Sequence, residues 1–158
     1  MSGCSFRFAQ KEDVSLVLDF IKELAEYENM LDEVVATEEL LCDWIFDKKI
    51  VEVIFALEDD KEVGFALFFH NFSTFLGRGG IYLEDLYVKE EYRGKGYGKG
   101  LIKKLAQIAV ERNCGRVEWW CLDWNQPSIN FYLSIGAEPM DDWTVYRISG
   151  DTLKELGK

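Results

Sequence analysis

Arg93-Gly94-Lys95-Gly96-Tyr97-Gly98 lies between a stretch of strand character ending near Val88 and a stretch of helical periodicity from about Gly98 to Arg112. Glycine at every second position lets the backbone turn its N–H groups inward with no Cβ in the way, and the following helix adds unpaired N–H groups and the positive end of its dipole. From Tyr92 to Lys104 the chain carries Arg93, Lys95, Lys99, Lys103 and Lys104 and no carboxylate, in a protein of formal net charge -11. Cations at a helix start oppose the dipole unless an anion sits there. The stretch therefore predicts a phosphate-binding loop.

Two common phosphate motifs do not fit. A Walker A loop needs G-x-x-x-x-G-K-[ST], which no register supplies, and a dinucleotide fingerprint from Gly94 or Gly96 would need its third glycine at Lys99 or Leu101. Arg-x-x-Gly-x-Gly does fit, as Arg93, Gly96 and Gly98, after a strand from Gly80 to Val88. A glycine-rich surface turn before a helix is the plain alternative.

Outward from the loop, the chain of 158 residues reads as one domain, 1–158, with 48% apolar residues for its core and only two prolines. Cys4, Cys42, Cys114 and Cys121 are scattered without metal-ligand spacing, and no metal is expected. With no secretory pattern and no apolar run of ~20 residues, the expectation is a cytoplasmic protein with reduced thiols, away from membranes. An acidic pI of about 4.6 argues against nucleic acid and is compatible with a cationic substrate, although it is also ordinary solubility chemistry.

In chain order, Ser5 to Gln10 reads as a strand and Val14, Val17, Leu18, Ile21, Leu24 and Ala25 fall at helical spacing, with Tyr27 or Glu28 continuing the stripe. Thr37 reads as the N-cap of a second helix. Ile50 to Glu58 and Val63 to Asn71 pair as a hairpin. His70, at the end of the hairpin, reads as a half-exposed histidine. After the loop come an amphipathic helix, a strand Arg116 to Leu122, a short helix Asn125 to Ile135 with Pro127 in its first turn, a closing strand Trp143 to Ile148 and a frayed tail. Strict alternation from Tyr82 to Val88 places Tyr82, Glu84, Leu86 and Val88 on one face, making Glu84 a carboxylate among apolar neighbours.

The Arg-x-x-Gly-x-Gly loop resembles the acyl-CoA pyrophosphate loop of the GNAT superfamily of N-acetyltransferases. The stretch from Trp124 to Tyr132 resembles that superfamily's Asn-x-x-[Ser/Ala]-x-x-x-Tyr signature, as Asn125, Ser128 and Tyr132. Ile21 to Glu28, Tyr82 to Asp85, Tyr92 to Gly94 and Pro127 to Tyr132 are similar, in order and over nearly the whole chain, to the diamine (spermidine/spermine) N-acetyltransferase family. The resemblance implies a mixed α/β (α+β) fold: a mostly antiparallel twisted sheet of about six to seven strands, splayed between strands 4 and 5, with about four flanking helices. It implies acetyl-CoA on the backbone of Leu86, Tyr87 and Val88, phosphates on Arg93, Gly94, Lys95, Gly96, Tyr97, Gly98 and Lys99, and the pantetheine arm against Asn125 and Ser128. Tyr132 would be the proton donor, and Tyr27, Glu28, Glu84, Glu118, Trp119 and Trp120 would hold a small amine. A homodimer is implied in the same way.

The chemistry of the residues agrees. An alkylammonium must lose a proton before attacking a thioester, and Glu84 is the candidate base, with a mere ion-pairing role as its alternative. The leaving thiolate needs a proton; Ser128 and Tyr132, four apart on one helix, share a face, although Tyr132 could also be a core residue. Cys121 has no base at a recognisable spacing and reads as a buried thiol. One departure bears on substrate: members of the family carry an acidic residue and a tryptophan where this chain has Phe72-Ser73-Thr74-Phe75-Leu76. That puts spermine in doubt and keeps a shorter diamine or thialysine open. Asp141-Asp142 could restore the charge or be an acidic turn. A protein lysine or terminus as acceptor, and a non-catalytic acyl-CoA-binding module, are the other classes.

Overall fold

Alternating apolar residues on both sides of the hairpin strands demand cover on both faces, and the computed structural model, which describes residues 4–158, supplies it. The strands β1 (Cys4–Phe8), β2 (Glu52–Glu58), β3 (Lys61–Ser73), β4 (Arg78–Val88) and β5 (Val117–Trp119) form one sheet in sequential order. The first four are antiparallel, and β5 joins β4 in parallel. The parallel step is bridged by α3 (Tyr97–Glu111), which makes a βαβ unit.

Each sheet face has its own core. Phe55 and Phe65 pack with Val17 and Phe20 of α1 (Val14–Tyr27), where Phe20 stacks on Phe65 at 5.1 Å between ring centroids. Ile54, Ala66, Phe68, Ile81 and Leu83 pack on the opposite face against Leu101, Leu105 and Ile108 of α3. Beside α1 lies α2 (Glu38–Cys42), capped by Thr37 as its sequence predicts, with the Thr37 Oγ1 accepting from the Leu40 N–H at 3.2 Å. It runs on into a π-helical turn, Asp43–Asp47.

The chain resolves into two compact units, residues 1–120 and 121–158. The second contains α4 (Gln126–Ser134) and α5 (Gly150–Leu156). The expected strand Trp143 to Ile148 does not form. No ladder of the described residues includes it, and Trp143 and Tyr146 are 76% and 92% exposed. Apolar alternation marks a segment as able to pair, but a strand forms only where a neighbouring edge accepts its N–H and C=O groups. Among the described residues the sheet thus has five strands rather than six or seven, and there are five α-helices rather than about four, because the tail forms α5.

The pairing of β4 also departs from strict alternation. Asp85 pairs with Leu67 and Leu83 with Phe68, so Glu84 is the extra residue of a β-bulge. Side-chain alternation slips by one there. Leu86 and Val88 join Ile81 and Leu83 on the α3 face, while Tyr87 packs on the α1 face. Tyr82, Glu84, Leu86 and Val88 therefore do not share a face, and Glu84 is exposed rather than set among apolar neighbours.

Candidate active site

The bulge coincides with the place where β4 loses its parallel neighbour. Pairing with β5 runs Ile81↔Val117, Tyr82↔Glu118 and Leu83↔Trp119, then stops. A bulge bends its strand, so β4 turns away from β5 from Glu84 on, and β5 ends at Trp119 instead of Leu122. This is the expected splay. Leu86, Tyr87 and Val88 lie beyond it, where no strand of the described residues pairs with that edge of β4.

At the end of β4 the chain enters the glycine loop. Gly94 and Gly96 take φ values of 78° and 90°, a region that side chains rarely adopt, and Gly96 is the N-cap of α3. The first turn of α3 carries no acidic residue and its N-cap offers no side-chain cap, so its leading N–H groups are directed by backbone alone. Lys95 and Lys99 are exposed on either side of the cap. Tyr97 is buried; its hydroxyl donates to Glu58 Oε1 at 2.5 Å, and Lys95 Nζ lies 3.6 Å from the same oxygen. The pKa of Tyr97 is raised by that hydrogen bond and by burial.

The Arg93 side chain points back along β4. Its Nε donates to the Val88 carbonyl at 2.9 Å, and its guanidinium lies 5.0 Å from the ring centre of Tyr27 and 5.2 Å from that of Tyr87.

A cavity of about 220 Å³ lies against α1, lined by Ile21, Leu24, Ala25, Glu28, Met30, Glu33, Val34 and Asp85. Its walls are apolar apart from three carboxylates. Burial, then the neighbouring Glu84 and Glu28, push the Asp85 carboxyl up to about 7. Burial and Glu84 also raise the pKa of Glu28. Clustered carboxylates with no counter-charge disfavour their own ionisation, and a cation placed among them relieves the cost. The arrangement suits an ammonium.

Glu28 and Glu84, both expected at the site, are thus brought together. Asp85 is the carboxyl that strict alternation hides. Helical spacing does mark the cavity wall: Ile21, Leu24, Ala25 and Glu28 form one stripe of α1 that ends in a carboxylate. Glu118 is already engaged, 3.3 Å from Arg116 Nε and accepting from Asn71 Nδ2 at 3.1 Å. Trp120 meets Tyr82 edge-on at 5.9 Å. Tyr82 has its pKa raised by burial and by Glu84 and Glu118.

Within the second unit, Asn125 is buried at the N-terminus of α4, and its carbonyl accepts from the Ile129 N–H at 3.0 Å. Ser128 and Tyr132 follow on the helix, which ends before Gly136 at a φ of 91°.

Among the described residues no group of His, Cys, Asp and Glu is placed to hold a metal ion, and no helix is long and apolar enough to cross a membrane. Cys4, Cys42 and Cys114 are free thiols.

A family model described as the acetyltransferase (GNAT) family matches residues 18–137. Thialysine N-epsilon-acetyltransferase of Bos taurus is 35% identical over 99% of this chain and 98% of its own length. Spermidine/spermine N(1)-acetyltransferase-like protein 1 of Homo sapiens is 34% identical over 99% of this chain but 24% of its own length. A solved integron cassette protein of V. cholerae superposes with a TM-score of 0.83 at 34% identity, covering 100% of this chain and 99% of that one.

Proposed function

The chain belongs to the GNAT acetyltransferase family and is an N-acetyltransferase; we propose that it transfers an acetyl group from acetyl-CoA to a primary amine of a small diamine or polyamine, by direct attack in a ternary complex. The observation that carries the choice of acceptor is the cavity of Glu28, Glu33 and Asp85 beside Glu84. The second ammonium of a diamine fits among those carboxylates. The family match runs through both compact units, which supports reading 1–158 as one catalytic domain.

In this reading acetyl-CoA lies along Leu86, Tyr87 and Val88 beyond the splay, with its phosphates on the N–H groups from Arg93 to Lys99 and the cations of Lys95 and Lys99, and its pantetheine arm against Asn125 and Ser128. Acetyl-CoA supplies the thioester carbonyl that the amine attacks. Glu84 takes a proton from the attacking ammonium, directly or through water; its exposure on the bulge keeps that route open. The neutral amine then forms the amide bond as the carbon–sulfur bond breaks, Tyr132 protonates the departing sulfur, and the proton shed by the new amide nitrogen returns to the Tyr132 phenolate. Tyr27 and Glu28 hold the amine, with Glu118, Trp119 and Trp120 along its approach. The protein works in the cytoplasm as a homodimer, and needs no metal, membrane or nucleic acid.

Thialysine as acceptor is favoured by one specific finding, the full-length similarity to thialysine acetyltransferases. Against it, the cavity presents carboxylates and no cation to pair with an amino acid's own carboxylate. Release of CoA thiol with putrescine, spermidine, spermine, thialysine, an aminoglycoside and a basic peptide separates these readings. Turnover led by a diamine or spermidine is expected. Preference for thialysine moves the assignment to amino acids, and silence across the panel with CoA still bound overturns the small-amine reading.

A further inference from the structure

The cations that follow β4 are tied to α1. Lys89 Nζ pairs with Glu23 Oε2 at 2.8 Å and lies 5.0 Å from the centre of the Phe20 ring, while Arg93 stacks on Tyr27. Phe20, Glu23 and Tyr27 stand three and four residues apart, so they form one stripe of α1, and the adjacent stripe, with Leu24 and Glu28, walls the acidic cavity. One helix thus touches the amine cavity on one side and the root of the phosphate loop on the other.

We infer that Arg93 is a positioning residue that clamps the phosphate loop to α1 through Tyr27, so that a side chain on the amine side of the site contributes to acetyl-CoA binding. The inference rests on the reading of the loop as the acetyl-CoA phosphate site. Arg93 stands immediately before Gly94 and Gly96, whose positive φ values turn the loop; Lys95 and Tyr97 tie that loop to Glu58, and Arg93 ties its root to α1. Its planar guanidinium satisfies three constraints at once: the Val88 carbonyl, the Tyr27 ring and the Tyr87 ring. A lysine carries the same charge but neither stacks as a plane nor offers an Nε–H beside it. Fixing the loop before the phosphates arrive lowers the ordering cost of binding, and a stacked cation at a solvent-facing site contributes about a two- to fivefold factor in affinity.

Calorimetric titration of CoA into the amine-free enzyme tests this in wild type, Y27F, Y27L, R93K and the R93K/Y27L double variant. Tyr27 is 38% exposed, so its replacement opens no core cavity, and thermal melting checks that each variant stays folded. The expected result is CoA affinity about two- to fivefold weaker in Y27L and in R93K. Y27F, which keeps the ring, should bind as the wild type does, and the double variant should be no weaker than the weaker single one. Unchanged affinity in Y27L, or losses that multiply in the double variant, overturns the clamp while leaving the acetyltransferase reading intact. A wild type that does not bind CoA overturns both.

Discussion

Asp85 on β4 and Glu28 on α1 line one cavity, and burial together with Glu84 and Glu28 holds the Asp85 carboxyl near 7, well above the ordinary aspartate range. A cationic amine is charged throughout pH 5 to 9, since its unperturbed pKa is about 10.4. Below 7, binding it must expel a proton from Asp85; above 7 the carboxylate is already formed. Amine affinity is therefore expected to rise about tenfold per pH unit below 7 and level off above it. The KM for the diamine in wild type and D85N, measured from pH 5.5 to 8.5, checks this. D85N should have a flatter profile and a higher KM at pH 8.

The same group predicts stability. A carboxyl whose folded pKa is raised binds its proton more tightly in the folded state, so stability is fullest below the unfolded value near 4 and declines as pH rises towards 7. Ionised Asp85 should cost about 4 kcal/mol in the unliganded protein at pH 8, or roughly 8–16 °C in Tm. Thermal melts at pH 5 and 8 should show a wild-type loss that D85N largely escapes, and a diamine should restore it.

Gly96 combines a φ of 90° with the N-cap of α3, ahead of a first turn free of acidic residues. G96D places a strained side chain and a negative charge where the loop is read to receive phosphate. CoA binding should fall below detection by calorimetry while the circular dichroism of the folded state persists. Tight CoA binding by G96D would move the phosphates elsewhere.

How far the chain could be read without coordinates depends on the range of the interactions involved. Thr37 announces a cap, and the stripe from Val14 to Ala25 a helix, because both signals are local. Gly96 likewise carries its meaning in its own backbone. The Glu84 bulge is different, since it arises from how β4 meets β3 and leaves β5, and no residue from Tyr82 to Val88 advertises it. Counting by twos across it gives Glu84 the wrong neighbours and passes over Asp85. Trp143 to Ile148 departs from expectation for a related reason: its alternation is genuine, but pairing is a property of two strands.

Phe20 tests the layer on which the cavity stands. It is fully buried, stacked on Phe65 at 5.1 Å and in edge contact with Tyr87 at 6.4 Å, so it joins α1 to the sheet beneath the acidic stripe. F20A should cost about 3–5 kcal/mol by the lost burial and the void it leaves. Chemical denaturation measures this. F20L should retain most of the stability.

Tyr132 lies one helical turn after Ser128 on α4, the helix whose N-terminus holds the buried Asn125. If its hydroxyl protonates the leaving sulfur, removing that hydroxyl acts on the transition state and not on binding. Y132F should lower kcat by at least about tenfold, with CoA affinity within about twofold of wild type. The loss should also depend on the leaving group: acetyl donors whose thiol is more acidic than that of CoA need less help from an acid, so they should narrow the gap between Y132F and wild type. Steady-state rates with acetyl-CoA and with such a donor, alongside calorimetric CoA affinities, give both comparisons. Full activity in Y132F would remove Tyr132 from proton transfer, and a parallel drop in CoA affinity would make it a binding residue instead.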